Sequence, residues 1–163
     1  MRDLKSAQSH ADLPKPEDTA NWTGLEYLQK TISGEVVAPP IAGLMNFRLE
    51  AIEEGRAVFR GIPKFESANP MGTTHGGWYG AILDSAMACA IMSKIGKGQS
   101  YTTLEYKINI VRPVPESMEV EAVSIAGHVG RTTGVANAEL RGLDDNRLYA
   151  TASTTCRHER SLS

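Results

Sequence analysis

The residues with the clearest chemical potential lie in one stretch, 69–92, where a glycine-rich loop leads into an apolar run that holds one acid. The loop ends at His75-Gly76-Gly77, and the acid is Asp84. Backbone N–H groups at such a helix start are accessible, and with the helix dipole they favour an anion or a carbonyl oxygen that becomes negative. A carboxylate in apolar surroundings is costly unless it is used or paired. The stretch therefore predicts a site that polarises a carbonyl group.

The spacing of these two features predicts that two chains build one site. Gly76 and Asp84 are eight residues apart, which along a helix is about 12 Å. A reacting carbonyl must lie about 3 Å from its donors and close to its base, which one helix does not easily provide. A two-fold dimer, with Gly76 from one chain and Asp84 from the other, is the simplest solution. Small residues share the Asp84 face and would let a partner or ligand come close, namely Gly77, Gly80, Ala81 and Ala88.

The segment that carries Asp84 is predicted to be a buried central helix. Its apolar residues are spread around the helical wheel, which is typical of a helix enclosed by other elements. A membrane span is the competing interpretation. The run is interrupted by Gly77, Gly80 and Asp84, however, and it falls short of about 20 strongly apolar residues.

Length and composition indicate one soluble globular domain. The chain has 163 residues, 41% apolar and 22% charged, with a formal net charge of −2, so neither nucleic acid nor membrane is an expected partner. Two cysteines, Cys89 and Cys156, do not make a disulfide framework, and no signal peptide is recognisable, so a cytoplasmic location is expected. Because His10, His128 and His158 lack metal-ligand spacing, neither a metal nor a cofactor is predicted.

The rest of the chain is predicted to supply a short helix and an antiparallel sheet. Residues 1–20 are polar and contain Pro14 and Pro16, so a flexible arm is expected there, and 21–163 form the domain. A helix capped by Asn21 or Thr23 is expected, with Glu26 three residues after Thr23, and Gly34 ends it. Without βαβ alternation, the pattern indicates the α+β class. Strands are predicted at 43–53, 56–62, 103–112, 117–128, 132–141 and 147–157, and a stop of the central helix at 96–98.

The strand 103–112 shows the clearest alternation of the sequence. Residues that alternate along a strand point to opposite faces of its sheet. One predicted face carries Leu104, Tyr106, Ile108 and Ile110, and the other carries Thr103, Glu105, Lys107 and Asn109.

Together these residues resemble a known family. The pattern Asn69-x-x-Gly72-x-x-His75-Gly76-Gly77, followed by Asp84, is similar to the signature of the hotdog-fold thioesterases, specifically the PaaI-like acyl-CoA thioesterases. The resemblance extends through the Tyr101–Pro113 strand, the Gly130-Arg131-Thr132 turn and the Ala150–Thr155 strand. It implies an antiparallel sheet wrapped around a central helix. It also implies subunits that pair edge to edge, with the active sites at their interface.

The resemblance implies a role for each residue of the pattern. The Gly76 N–H polarises the thioester carbonyl, Asn69 positions the carbonyl or the water, and Asp84 is the general base or nucleophile. His75 stabilises the loop, and Thr103 assists the water. Candidate substrate contacts are Gly77, Thr102 (the neighbour and alternative of Thr103) and, for the phosphates of coenzyme A, Arg131 and Lys107, for which solvated surface charges are an equal alternative.

The leading hypothesis is hydrolysis of a small aryl- or medium-chain acyl-CoA. A hotdog dehydratase or hydratase would pair a His with an acid in a different loop pattern, which this sequence lacks. A non-catalytic acyl-CoA binding module is the alternative from another class, but a binder has no need of an isolated buried acid such as Asp84. The acyl group, and the choice between dimer and tetramer, stay open.

Overall fold

The computed structural model describes residues 5–160, with only the backbone of Arg160, and shows one curled antiparallel sheet packed around one long helix. This confirms the predicted architecture. The helices are α1 (Pro16–Thr19), α2 (Gly24–Ser33), α3 (Pro40–Leu44) and α4 (Gly76–Met92). The strands are β1 (Phe47–Glu53), β2 (Arg56–Gly61), β3 (Gln99–Ile110), β4 (Val120–Val129), β5 (Thr133–Gly142) and β6 (Leu148–Arg160).

Helix α4 is buried on most of its circumference, as predicted. Its large side chains Trp78, Tyr79, Ile82 and Leu83 are at most 1% exposed and pack against the sheet. A strip of small or polar residues along the helix stays partly open, and Asp84 belongs to this strip. The members of the open strip are Ala81, Asp84, Ser85, Cys89 and Met92. None of the helices formed by residues 5–160 has the length and apolar character that a membrane crossing requires.

The helix ends four residues before the predicted stop at Gly96. The side chain of Ser93 causes this, because its hydroxyl donates to the Ala90 carbonyl (2.7 Å) and accepts from the Gly55 N–H (2.7 Å). A buried hydroxyl that binds backbone groups in this way competes with continuation of the helix. Gly55, in the left-handed region at φ 78°, also forms the tight turn of the predicted β1–β2 hairpin, which is confirmed.

The order of strands in the sheet is β1-β2-β4-β5-β6-β3, with every neighbouring pair antiparallel. The two edges differ. β1 has seven residues, whereas β3 has twelve and pairs only with β6 within the described chain. A long edge strand presents a row of unpaired backbone groups to solvent, which is a template for pairing with another chain.

A bulge in β3 overturns the predicted division of its faces. The pairing with β6 slips between Thr103 and Glu105, so Leu104 has no partner and is 57% exposed. Thr103 and Tyr106 pair with Cys156 and Thr154, two buried neighbours on the helix-facing side of β6. An extra residue reverses the alternation downstream of the bulge. Thr103 therefore faces α4 together with Tyr106, Ile108 and Ile110, while Glu105, Lys107 and Asn109 point to the outer face.

The N-terminal part of the domain is a helix fastened to the end of α4. α2 begins as predicted, with a capping box in which Thr23 and Glu26 each accept from the other's backbone N–H, and it ends at Gly34 (φ 84°). The Gly24 N–H donates to the Ile95 carbonyl (3.1 Å). A side chain at Gly24 would place its Cβ against the Met92 carbonyl oxygen, so only glycine allows this contact between the two helices.

Two other expectations concern the start of β1 and the N-terminal arm. The strand predicted from Gly43 starts at Phe47, because Pro40 opens the short helix α3 at a position where proline is tolerated. The flexible arm over 1–20 stays a prediction, but its segment around Ala7 is held to the domain by hydrogen bonds. The Ala7 N–H donates to the Ala38 carbonyl (2.9 Å), and the Ala38 N–H to the Lys5 carbonyl (3.1 Å).

The Gly24 contact yields a stability prediction. Gly24→Ala forces the Cβ into the Met92 carbonyl, and overpacking of this kind costs about 1–3 kcal/mol, which lowers the melting temperature by roughly 3–10 °C. Differential scanning calorimetry measures this. Gln29→Ala, at an exposed position of the same helix, is the control and should melt like the wild type. An equal melting temperature for both variants would contradict close packing at Gly24.

Candidate active site

The structure brings Asp84 and Thr103 into direct contact. Asp84 lies in the middle of α4, on its open strip, and the Thr103 hydroxyl on β3 donates to its Oδ1 (2.9 Å). The bulge makes this contact, because it turns Thr103 toward the helix. The Cys156 sulfur lies on the other side of Thr103, 3.8 Å from its hydroxyl. The carboxylate is thus held in one orientation and keeps its second oxygen for a substrate or a water molecule.

Two opposing effects set the pKa of Asp84. Partial burial raises the pKa above the ordinary value of an aspartate, because desolvation disfavours the charged form. The hydrogen bond from Thr103 acts the other way and lowers it. A carboxyl with a raised pKa is a stronger base when it is ionised than a fully solvated one. No Lys or Arg pairs with Asp84 among residues 5–160, so the alternative of a structural ion pair finds no support there.

The start of α4 has one free amide. His75 is the N-cap, and its Nδ1 accepts from the Gly77 N–H (2.9 Å). The Trp78 N–H donates to the His75 carbonyl (3.0 Å). The Gly76 N–H has no acceptor within residues 5–160, and the residue is exposed. Of the two glycine amides, Gly76 is therefore the one available to a carbonyl oxygen, while the amide of Gly77, predicted as a substrate contact, is occupied.

The loop before the helix is closed by Asn69. Its Oδ1 accepts from the N–H groups of Met71 (2.9 Å) and Thr73 (3.2 Å), and its Nδ2 donates to the Thr73 hydroxyl (2.8 Å). Gly72, at φ 75°, makes the turn inside this loop. Both lone pairs of the Asn69 oxygen are used, so only the second hydrogen of Nδ2 is free for a ligand. Its predicted contact with substrate or water stays a prediction.

Further contacts fix the beginning of α4 against the sheet. The Thr74 hydroxyl donates to the Val114 carbonyl (2.7 Å), and the Tyr79 hydroxyl accepts from the Val114 N–H (2.7 Å). The indole N–H of Trp78 donates to the Met45 carbonyl (2.7 Å). The position of the free Gly76 amide is therefore set by a buried network and not by the exposed loop.

Two predicted substrate contacts lie elsewhere. Thr102 precedes Thr103 and points to the outer face of the sheet, so of the two threonines only Thr103 reaches Asp84. Lys107 is also on the outer face, since the bulge separates it from Thr103. The structure therefore does not bring Thr102 or Lys107 to Asp84 of the same chain. Arg131 is exposed in the turn between β4 and β5, and its contact with a phosphate stays a prediction.

Two tyrosines of β3 that lie against α4 near the candidate site were not among the predicted site residues. Tyr101 lies two positions before Thr103 on the same face of β3, and Tyr106 covers Gly80 so closely that a Cβ there would lie 3.1 Å from its hydroxyl. Periodicity alone could not find them, because the bulge changes which residues share a face. Their aromatic side chains, in a strand predicted to cover the central helix, were the available signal.

Comparison with known proteins agrees with this geometry. Residues 71–161 match the family model of the thioesterase superfamily, which is more than half of the chain and includes both Asp84 and Thr103. The chain belongs to the thioesterase superfamily. This chain is therefore a thioester hydrolase. The match supports neither the dehydratase hypothesis nor the binding-module hypothesis. A search of curated protein sequences returns no match.

Solved structures give the same family and fold. A phenylacetic acid degradation-related protein from Ralstonia eutropha has a TM-score of 0.73 at 26% identity, over 80% of this chain and 98% of that chain. A conserved protein from Pseudomonas aeruginosa has a TM-score of 0.68 at 30% identity, over 74% and 94%. The PaaI protein of Escherichia coli has a TM-score of 0.72 at 20% identity, over 85% and 99%, which shows the shared fold. The predicted hotdog-fold, PaaI-like thioesterase is confirmed.

The Asp84–Thr103 contact yields a prediction for pH dependence. Thr103→Val removes the hydroxyl that lowers the Asp84 pKa, so this pKa rises further. A base acts only when it is deprotonated, and activity falls as the pH falls through its pKa. The acidic limb of the kcat/KM profile should therefore move to higher pH in Thr103→Val. Thr103→Ser keeps the donor and should keep the wild-type limb; a limb that does not move in Thr103→Val would show that this pKa does not govern the reaction.

The cap role of His75 yields a second prediction. Asparagine is a good N-cap residue whose oxygen can accept from the Gly77 N–H, so His75→Asn should retain most of the activity. His75→Ala loses the cap, which costs about 0.5–2 kcal/mol of stability, and should lower kcat by loosening the helix start. Calorimetry and thiol release measure the two effects. Equal loss of kcat in both variants, with stability kept in His75→Asn, would instead indicate proton transfer by the imidazole.

Proposed function

We infer that this thioesterase hydrolyses the acyl-CoA thioester of a small aryl or medium-chain acyl group, and that Asp84 and the Gly76 amide perform the reaction. The observation that carries the proposal is the Asp84 carboxylate, half-buried on the open strip of α4 and held by Thr103 at 2.9 Å. Cys89 and Cys156 are both free thiols, which fits the cytoplasmic location expected for an enzyme of this kind.

In the proposed mechanism the thioester carbonyl accepts a hydrogen bond from the Gly76 N–H. Negative charge develops on this oxygen as the carbonyl is attacked, and the amide with the α4 dipole behind it stabilises that charge. The free oxygen of Asp84 either takes a proton from the attacking water or attacks the carbonyl itself to form an anhydride that water then opens. In both routes the C–S bond breaks, coenzyme A leaves as a thiol after protonation, and the acid is released.

In the proposed mechanism, a dimer brings a Gly76 amide and an Asp84 carboxylate from different chains to the same carbonyl. Within α4 the Gly76 amide and Asp84 are eight residues apart, about 12 Å along the axis, so they cannot act on one carbonyl in the same chain. β3, the long edge strand, carries exposed apolar side chains next to this helix. Pairing of β3 with β3 of a second copy covers the edge and brings a second α4 close. The exposed apolar residues of β3 are Leu104 (57%), Tyr106 (48%) and Ile110 (47%), and Val111 (55%) directly follows the strand.

Gly76 can be tested without disturbing the helix. It is the first residue of α4, where proline is tolerated, and His75 before it has the extended backbone (φ −66°, ψ 142°) that proline requires. Gly76→Pro removes the amide hydrogen, and kcat should fall about 10²–10³-fold. Gly76→Ala keeps the N–H, and its Cβ has room at 3.8 Å from the nearest atom, a carbon of Ile110, so most activity should remain.

Mixing two inactive variants tests the shared site. Asp84→Asn should release no thiol from an acyl-CoA panel, and Gly76→Pro should keep at most about 1% of the wild-type rate. If each site joins Gly76 of one chain to Asp84 of the other, random exchange of the two variants restores about a quarter of the wild-type rate, because half of the dimers carry one intact site. No recovery after confirmed exchange would place the whole site in one chain. Absence of thiol release by the wild type across aryl, short and long acyl-CoAs would refute the proposed substrate class.

A further inference from the structure

A second feature next to the candidate site has no role in the mechanism above. A cavity of about 770 Å³ lies between the N-terminal segment, α2, the end of α4 and the start of β3. This volume is within the usual range of small-molecule sites. We name it the α2 chamber, and its largest lining side chains are Pro14, Pro16, Trp22, Tyr27, Met92 and Tyr101.

The α2 chamber is adjacent to Asp84. Tyr101 forms part of its wall and lies two positions before Thr103 on the same face of β3, a distance of about 7 Å along the strand. Met92, also in the wall, belongs to the same open strip of α4 as Asp84. Burial raises the Tyr101 pKa well above its usual value, and the nearby Asp84 and Tyr27 add to this effect. The chamber therefore begins one side chain away from Asp84, with Tyr101 between the two.

The walls of the chamber suit an apolar group and not coenzyme A. Aromatic rings, prolines and a methionine dominate, and the lining contains one acid, Glu17, and no Lys or Arg. Phosphate groups require cationic partners, so the nucleotide part of the substrate must lie elsewhere. Lys30 approaches Trp22 to 5.2 Å from its ring centroid, but Glu35 pairs with its ammonium group at 2.6 Å. The nearest lysine is therefore already paired and is not a free partner for a phosphate.

The wall and the catalytic group come from different parts of the chain. Asp84, Thr103 and Tyr101 lie within the residues that match the superfamily model, whereas Trp22 and Tyr27 precede them. Residues 14–27 are held against the rest by the Gly24 contact with the end of α4. Substitutions in this segment can therefore change the shape of the chamber without changing Asp84 or Thr103.

We propose that the α2 chamber receives the acyl group of the thioester, and that Tyr27 and the neighbourhood of Ala20 determine which acyl groups fit. The proposal rests on the proposed function, since it places the thioester carbonyl at Asp84. The chamber begins about 7 Å from Thr103, and an extended chain gains roughly 1.3 Å per carbon from C–C bonds of about 1.5 Å. An acyl group must therefore have about six carbons to reach the chamber, so octanoyl-CoA enters it and butyryl-CoA does not.

Two opposite substitutions test this assignment. Ala20→Trp fills the chamber from an exposed wall position, and the ratio of kcat/KM for octanoyl-CoA to that for butyryl-CoA should fall at least about tenfold. Tyr27→Ala enlarges it and should raise the ratio for dodecanoyl-CoA to octanoyl-CoA by a similar factor. Gln29→Ala, on the exposed side of the same helix, is the matched control and should keep both ratios. Ratios within about twofold of the wild type in both chamber variants would overturn the proposal.

A binding measurement tests the role of the chamber even if the protein does not hydrolyse acyl-CoA. If the wild type releases no thiol from any acyl-CoA, calorimetry measures binding of octanoyl-CoA to Asp84→Asn with and without Ala20→Trp. Binding that weakens at least about tenfold with Ala20→Trp supports the chamber even then. Equal binding in the two proteins overturns it, whatever the outcome for hydrolysis.

Discussion

Enclosure of α4 by the curled sheet is the interaction on which the other features depend. The buried side chains of this helix form the centre of the core, and no strand of the sheet could bury its inner face without them. Because the helix is fixed by this packing, and its start by hydrogen bonds to Val114 and Met45, its few polar groups have defined positions. A catalytic carboxylate gains from such rigidity, since its orientation costs nothing further when the substrate binds.

The bulge in β3 gives Asp84 its hydrogen-bond donor, Thr103. A regular β3 would direct Thr103 to the outer face, and the carboxylate of Asp84 would lose its donor. The bulge at Leu104 turns Thr103 inward and leaves the leucine exposed at the edge of the sheet. Bulges often re-aim a side chain next to an active site. The bulge thus gives Asp84 a hydrogen bond and places an apolar side chain at the edge where we propose the second subunit.

In the proposed mechanism, the described chain holds only half of each site. The free amide of Gly76 and the carboxylate of Asp84 lie at different levels of one helix, and the edge strand beside them is unpaired. The proposed pairing with a second copy across β3 accounts for both features. The α2 chamber, in contrast, is formed within one chain. In this arrangement the partner contributes to the chemistry, whereas the acyl group is selected by the chain that holds Asp84.

The sequence by itself determined the class of fold, the buried helix, its loop signature and the candidates Gly76 and Asp84, because these follow from local composition and spacing along one element. Thr103 became a candidate only through the family resemblance. The sequence also placed the capping box of α2 and the β1–β2 hairpin, which depend on a few adjacent residues. Only the tertiary structure showed that Thr103 and not Thr102 contacts Asp84, that Lys107 lies on the outer face of the sheet and that Tyr101 lies close to Asp84. Each of these findings depends on the register of β3 with β6. A one-residue bulge exchanges the two faces of a strand, and the periodicity of the sequence gives no reliable sign of such a bulge.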